Sequence, residues 1–254
     1  SGSGGLNLSS GSITVNGTLT VSNININGTI AGSSAQVIPS VSGQSGKFLT
    51  TNGSTMSWGT IESGGGPKSI SVYNGNSTWN KPSGIKRIWV MCTGGGGGGS
   101  GYGESAGAGA HTESIVNVEN INSISVTVGG AGGGTGYSGR GGNGGTSSFG
   151  NYVSSGGGQG ANRRQQHEGA TGGNPNQGSV RIYGGSGQGH RNPPGLGHGG
   201  TSFWGGSAPT SHRQQQWAQR HRAHAAYGAG GSSGRNSERG GDGRQGIVVV
   251  YEFD

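Results

Sequence analysis

Six consecutive glycines, Gly94–Gly99, satisfy the spacing G-x-G-x-x-G, in which glycine lets backbone amides approach a pyrophosphate. That chemistry needs a helix directly after the turn, with its N-terminus facing the anion. Residues 100–110 are instead dominated by glycine and alanine, so a dinucleotide site is rejected. No G-K-[ST] phosphate loop occurs, and no G-x-S-x-G elbow sits on a strand-to-helix turn. The nine acids are scattered without a carboxylate pair suited to glycoside hydrolysis. A short helix is expected over 214–226, and it would set Trp217, His221 and His224 on one face. Two histidines at i,i+3 without a third ligand make a weak zinc site. The sequence therefore reads as a non-enzyme without cofactor or metal.

The remaining chemistry is recognition. Large side chains concentrate in four inserts: Tyr102 to Glu104 (with Tyr137 and Arg140 further on), 162–168, 190–194 and 209–227. Candidate binding residues are Tyr102, Arg163, Arg164, Gln165, His167, His190, Arg191, Trp204, His212, Arg213, Trp217, Arg220, His221 and Tyr227. Aromatic faces stack on sugar C–H groups, and guanidinium and amide forks bind hydroxyls and anionic substituents. The same residue types dominate protein hot spots. Glycan and protein partners both remain open on this mix, as do plain solvated loops. From Gln159 to Arg244 there are ten Arg, no Lys and three acids, and six of the seven His fall there. Within a net charge of +7, that bias favours an anionic partner or a solubilising surface.

The inserts need a support, and its composition is unusual. Glycine makes up 64 of 254 residues, about a quarter against a usual share of about 7%. Such a segment cannot build an ordinary core, and composition alone suggests a low-complexity chain. Strong strand signals bracket it, however: Ile85–Cys92 before it and Gly246–Phe253 after it, the latter expected as a central strand. In Ile85–Cys92, Arg87, Trp89 and Met91 alternate with Lys86, Ile88, Val90 and Cys92. Cys92, the only cysteine, reads as a buried small hydrophobe and excludes an intrachain disulfide. Strands are also expected at Ile70–Tyr73, Glu113–Val118 and Ile121–Val128, and a turn at 79–84. Between them, glycine runs suit polyproline-II-type helices, which have three residues per turn and no internal hydrogen bonds. Packed side by side, such helices bond to one another and require glycine wherever a neighbour touches. The strict G-X-Y period and proline content of collagen are absent.

Ahead of this region, residues 1–32 alternate apolar residues at strand spacing: Ile13, Val15, Leu19, Val21, Ile24 and Ile26. The segments GSITVN and GTLTVS form a near-repeat. One copy of such a ribbon buries almost nothing, which points to several identical chains sharing a core. Phe48–Leu49, a Thr-Thr-Asn-Gly turn, then Met56, Trp58 and Ile61 read as a hairpin, and 64–67 as a hinge. The expected division is a stalk over 1–32, a shaft-end hairpin module and linker over 33–66, and a glycine-rich tip over 67–254.

The segment GKFLTTNGSTMSW (46–58) resembles a module of trimeric phage tail fibres and related bacterial fibres. The order "TWNKPSGIKRIWVMCTGGGGGG", "VTVGGAGGGTG", "GGNGGTSSFG", "VSSGGGQG" and "GDGRQGIVVVYEF" resembles the glycine-rich C-terminal domain of many phage tail fibres. The inserts between Arg163 and Arg239 are longer and more basic than that pattern. The resemblance implies an all-β fold: a trimeric β fibre segment, then a small β-sandwich-like domain with polyglycine-II-type helices and long loops. It implies a homotrimer at a virion's tail fibre tip that binds a bacterial outer-membrane protein or lipopolysaccharide glycan. No membrane insertion is expected, because no leader and no bilayer-spanning apolar run is read, and no nucleic-acid partner is expected. The alternatives are a bacterial surface adhesin built from the same modules or, more distantly, an ice- or nucleic-acid-binding protein.

Overall fold

Alternation of branched apolar residues with polar ones dictates strands wherever glycine thins out, and glycine dictates what lies between them. The computed structural model describes residues 16–17, 39–60, 65–101, 104–136, 139–162, 169–189, 197–207, 226–234 and 239–254. They fall into two compact units, Ser1–Gly64 and Gly65–Asp254. The fold is all-β, and no helix of the α type occurs among the described residues.

In the first unit, β1 (Phe48–Thr51) and β2 (Met56–Gly59) pair as the expected hairpin. Its turn is fixed by Asn52, whose Oδ1 accepts the amides of Ser54 at 2.9 Å and Thr55 at 2.8 Å. Gly53 supplies the left-handed conformation there, with φ +91°. Phe48 and Leu49 are exposed.

The second unit holds two five-stranded antiparallel sheets. One has the order β10 (Pro175–Gln177), β9 (Val153–Ser155), β8 (Ser147–Phe149), β7 (Ser123–Thr127), β4 (Ser77–Asn80). The other has the order β11 (Val180–Ile182), β6 (His111–Asn117), β5 (Arg87–Thr93), β12 (Ile247–Phe253), β3 (Ser69–Tyr73). The C-terminal strand β12 is interior, as its unbroken Ile-Val-Val-Val run indicates. The core between the sheets holds Ile88, Val90, Cys92, Val116, Val126, Phe149, Val153, Val248 and Val250, with Trp79 against Phe149. Each such side chain contributes about 1.5–3 kcal/mol through burial. The alternation along β5 is the expected one, with Ile88, Val90 and Cys92 all fully buried. Burial pushes the Cys92 thiol up to about 12, consistent with its reading as a small hydrophobe.

One expectation changes. Trp79 and Asn80 are not turn residues but the end of β4, paired with Ile124 and Ser123. The turn signal of Lys81-Pro82-Ser83-Gly84 begins one step later, and cross-strand pairing carries Trp79 into the core. The three-residue strands β8 to β11 are too short to show a period and had no sequence signal.

Glycine runs continue directly from the strand ends. Ten of them are described: 94–101, 104–110, 129–136, 139–146, 156–162, 169–174, 184–189, 197–201, 228–234 and 239–246. Their hydrogen bonds have a three-residue period and leave the run each time. The amides of Gly94 and Gly97 go to Ala110 and Gly107, those of Gly95 and Gly98 to Gly145 and Gly142, and those of Gly96 and Gly99 to Arg244 and Gly241. This is the threefold, internally unbonded helix expected of such sequence.

The packing is hexagonal. Around 94–101 stand 104–110, 156–162, 139–146, 129–136, 239–246 and 228–234, each bonded to the centre and to the next. A second ring surrounds 104–110: 94–101, 156–162, 169–174, 184–189, 197–201 and 228–234. Two fused hexagons therefore share a pair of central helices, and the lattice closes within one chain. The rim does have open outward positions, where a Cβ on Gly130 or Gly133 would meet nothing within 4 Å, but larger residues are not confined to them: Ala106, Ala108 and Ala110 of the second central helix are fully buried. The 94–101 helix has no outward position. A Cβ on any of Gly94–Gly99 would overlap a backbone carbonyl of a neighbour, which explains six glycines in a row.

Buried hydroxyls join lattice to sandwich. Ser147 Oγ donates to Thr93 O at 2.6 Å and accepts the Gly129 amide at 2.9 Å. Ser155 Oγ lies 2.8 Å from Cys92 O and 2.7 Å from Thr112 Oγ1. At the rim, side chains replace missing neighbours: Asp242 Oδ1 accepts the Gly134 amide and Asn143 Oδ1 that of Gly160.

Candidate binding ends of the glycine lattice

The direction of each run decides where its connections lie. Runs 94–101, 129–136 and 156–162 leave β5, β7 and β9, and run 184–189 leaves β11. Runs 104–110, 139–146, 169–174 and 239–246 return to β6, β8, β10 and β12. Runs 197–201 and 228–234 complete the pairing. Five run-to-run connections therefore fall at the end of the lattice away from the sandwich: after residues 101, 136, 162, 189 and 234. The described residues there bond to one another, Gly101 to Gly136, Gly234 to Ser100, Ser105 to Gln188 and Gly240 to Thr135. Glu104 is buried at this far end.

Tyr102, Arg163, Arg164, Gln165, His167, His190 and Arg191 themselves lie outside the described residues, as does Tyr137. In chain order they fall in four of the five segments that join far-end run ends, and the described residues flanking each segment belong to neighbouring helices.

The fourth insert departs from the opposite end. His212, Arg213, Trp217, Arg220, His221 and the expected helix over 214–226 (apart from Ala226) also lie outside the described residues. The flanks are described: Ala226 N donates to Gly206 O at 3.3 Å, and both sit beside the strand ends. Trp204 Nε1 donates to Thr93 Oγ1 at 2.8 Å. Tyr227 packs on the cluster of Met91, Ile247 and Val249, with the Arg244 guanidinium 5.6 Å from its ring centroid. Of the candidate binding residues, these two are described, and both anchor the root of the insert to the sandwich. Trp204 is still 38% exposed.

That root contains a polar relay with no sequence signature. Thr93 Oγ1 lies 2.7 Å from His111 Nδ1, and His111 Nε2 lies 3.0 Å from Glu113 Oε1. Glu113 Oε2 accepts Trp89 Nε1 at 3.0 Å. The Glu113 carboxylate can only accept, which favours a neutral His111 protonated at Nε2; Nδ1 then accepts the Thr93 hydroxyl hydrogen while Thr93 Oγ1 accepts the Trp204 indole hydrogen. The histidine stacks on Phe203 at 3.7 Å. Burial depresses the His111 pKa, while the hydrogen bond and charge of Glu113 oppose that shift. Hydroxyl, imidazole and carboxylate here have the distances of a catalytic triad. Thr93 is fully buried, however, and its hydroxyl is already engaged with an indole, so it has no approach to a carbonyl. The relay clamps residues 202–207 to the end of β5. Thr93 and His111 could have been paired from the facing strand ends only once the β5–β6 register was known.

The family model of the glycine-rich domain matches residues 70–252. The chain belongs to this glycine-rich domain family. The match spans both sheets and all ten lattice helices, so the sandwich and the lattice are one family domain rather than a domain with a tail. No curated protein matches the chain. In this glycine-rich domain the connections vary in length while the helices between them stay short.

Proposed function

We propose that this glycine-rich domain is the receptor-binding tip of a phage tail fibre, homotrimeric through the ribbon that precedes it. It attaches to a bacterial outer-membrane protein or lipopolysaccharide through connections at the far end of the lattice. The observation that carries this reading is that five pairs of run ends meet at one end of a support cross-linked throughout by backbone hydrogen bonds. A lattice helix surrounded by six bonded neighbours cannot shift without breaking several hydrogen bonds at once, so its end loops are held on a rigid base. Binding sites on loops over a rigid scaffold are the usual division of labour.

The sequence of these connections supports the partner class. Arg163, Arg164, Gln165, His167, His190 and Arg191 combine forked donors with titratable rings, the set that suits phosphorylated core sugars or an acidic protein loop. Three tips on one shaft raise the avidity of a weak single site. No helix among the described residues is long and apolar enough to cross a membrane.

The test is binding of the labelled full chain to Gram-negative cells and to strains lacking outer-core lipopolysaccharide or single porins. Replacing Arg163 and Arg164 by Ala is expected to cost at least tenfold in cell binding while leaving the melting temperature unchanged. Binding that persists on every receptor-deficient strain, or that is lost steeply with salt and transferred to nucleic acid, would overturn the reading.

A further inference from the structure

The outer face of the β11-β6-β5-β12-β3 sheet carries apolar rows where a free surface would carry polar ones. Register pairs Ile70 with Tyr251, Tyr251 with Trp89 and Trp89 with Ile115, so these four side chains form one row across four strands. In the next row Val72 stands beside Val249. Ile115 is 72% exposed, Val72 56% and Ile70 54%. Trp89 and Tyr251 stack at 5.1 Å. Below the row, Arg87, Trp89, Ile115, Phe253 and Gly65 line a recess of about 260 Å³. On the same sheet Lys68 pairs with Asp254 at 2.8 Å and Glu113 is held by His111 and Trp89, while Arg87 borders the recess. Contiguous apolar surface of this kind on one face marks an interaction site.

We infer that this face is the contact between copies of the glycine-rich domain, the three outer sheets turning towards a common axis. The inference rests on the homotrimer reading above and adds the surface that reading lacks. Two observations select another copy as the occupant. The preceding β1–β2 hairpin leaves Phe48 and Leu49 exposed, apolar side chains that further copies of the shaft would cover, since a hairpin is marginal by itself in water. The chain then enters the domain at Gly65, which itself lines the recess. Between β2 and β3 stand only residues 60–68, a reach of about 30 Å at full extension. Copies joined through the shaft are thus held at an effective concentration in the millimolar range, with this face next to the tether.

Ile115→Cys tests the contact in the full chain. Cys92 is fully buried with its thiol pushed up to about 12, so an added cysteine is the reactive one. Tyr152→Cys, on an exposed site of the β8–β9 turn, serves as control. Mass is measured first by sedimentation. The expected result is a trimer in which Ile115→Cys reacts with a soluble maleimide at least tenfold more slowly than Tyr152→Cys. A short bifunctional maleimide is then expected to join chains through the former and not the latter. A monomer would overturn the homotrimer reading and this inference with it. A trimer in which Ile115→Cys labels as fast as the control, or is protected without cross-linking between chains, would overturn this inference alone.

Discussion

A Cβ placed on Gly96 would overlap the carbonyl oxygen of Ala229. Residues 133 positions apart in sequence thus set the identity of one of them, because the 94–101 and 228–234 helices pack backbone to backbone. Gly96→Ala is expected to destabilise the domain by about 3 kcal/mol or more, the upper range of overpacking in a rigid interior. Gly133→Ala, at an open rim position, is expected to stabilise by about 0.4–1 kcal/mol by restricting the unfolded chain. Denaturant unfolding of the two variants measures both. Equal effects would contradict the separation of centre from rim.

The His111 relay gives stability a definite pH dependence. The folded-state pKa of His111 lies below the ordinary imidazole value of about 6.5. As pH falls below that value the unfolded chain takes up a proton that the folded chain resists. Stability is therefore full above about pH 6.5 and declines as pH drops towards the folded-state pKa. Protonation also puts a hydrogen on Nδ1, so the Thr93 hydroxyl can no longer donate there. Unfolding free energies of wild type and His111→Gln, measured from pH 7.5 to 5, are expected to lose this slope in the variant.

Glu252 is a carboxylate buried between the sheets, 2% exposed. It accepts Trp79 Nε1 at 2.7 Å and Ser71 Oγ at 3.2 Å, and bonds to Ser69 Oγ as well. It ties β12 to β3 and β4, across both sheets. Glu252→Ala leaves an indole donor buried without its partner, which costs about 1–3 kcal/mol for the unsatisfied group. Trp79→Phe, which removes the donor together with the need for it, is expected to recover part of that loss in a double-mutant cycle. Additive losses would place the two residues in separate interactions.

The two ends of the lattice make separable claims on binding. Arg163→Ala with Arg164→Ala alters a far-end connection, whereas Trp217→Ala alters the insert rooted beside β5. If the far end carries attachment, cell binding is expected to fall at least tenfold in the first and less than twofold in the second. The reverse order, read by flow cytometry on the same cells, would move the binding surface to the sandwich end.

Much of the scaffold was legible in the sequence because it depends on local pattern. Ile247–Phe253 and Arg87–Thr93 declare themselves by branched and alternating residues, and the all-β class follows. Threefold helices were legible because chains this rich in glycine have few other regular ways to bond their amides. The candidate site was legible only as a set of residue types. Tyr227 read as an aromatic of the basic 209–227 insert and Trp204 as a separate candidate binding residue, yet their contacts with Met91 and Thr93 come from strands far away in sequence. Trp79 read as a turn residue because the turn signal follows it directly, and only its pairing with Ile124 places it in the core.

By itself, then, the sequence determined that glycine must be packed against backbone and that strands must flank it. Which glycines are central, and which ends carry the connections, was decided by tertiary structure alone. The reason is physical. Each amide of a polyproline-II-type helix bonds to a different neighbour, so Gly94, Gly95 and Gly96 answer to Ala110, Gly145 and Arg244. No local window contains those partners, and only the closed hexagons fix them.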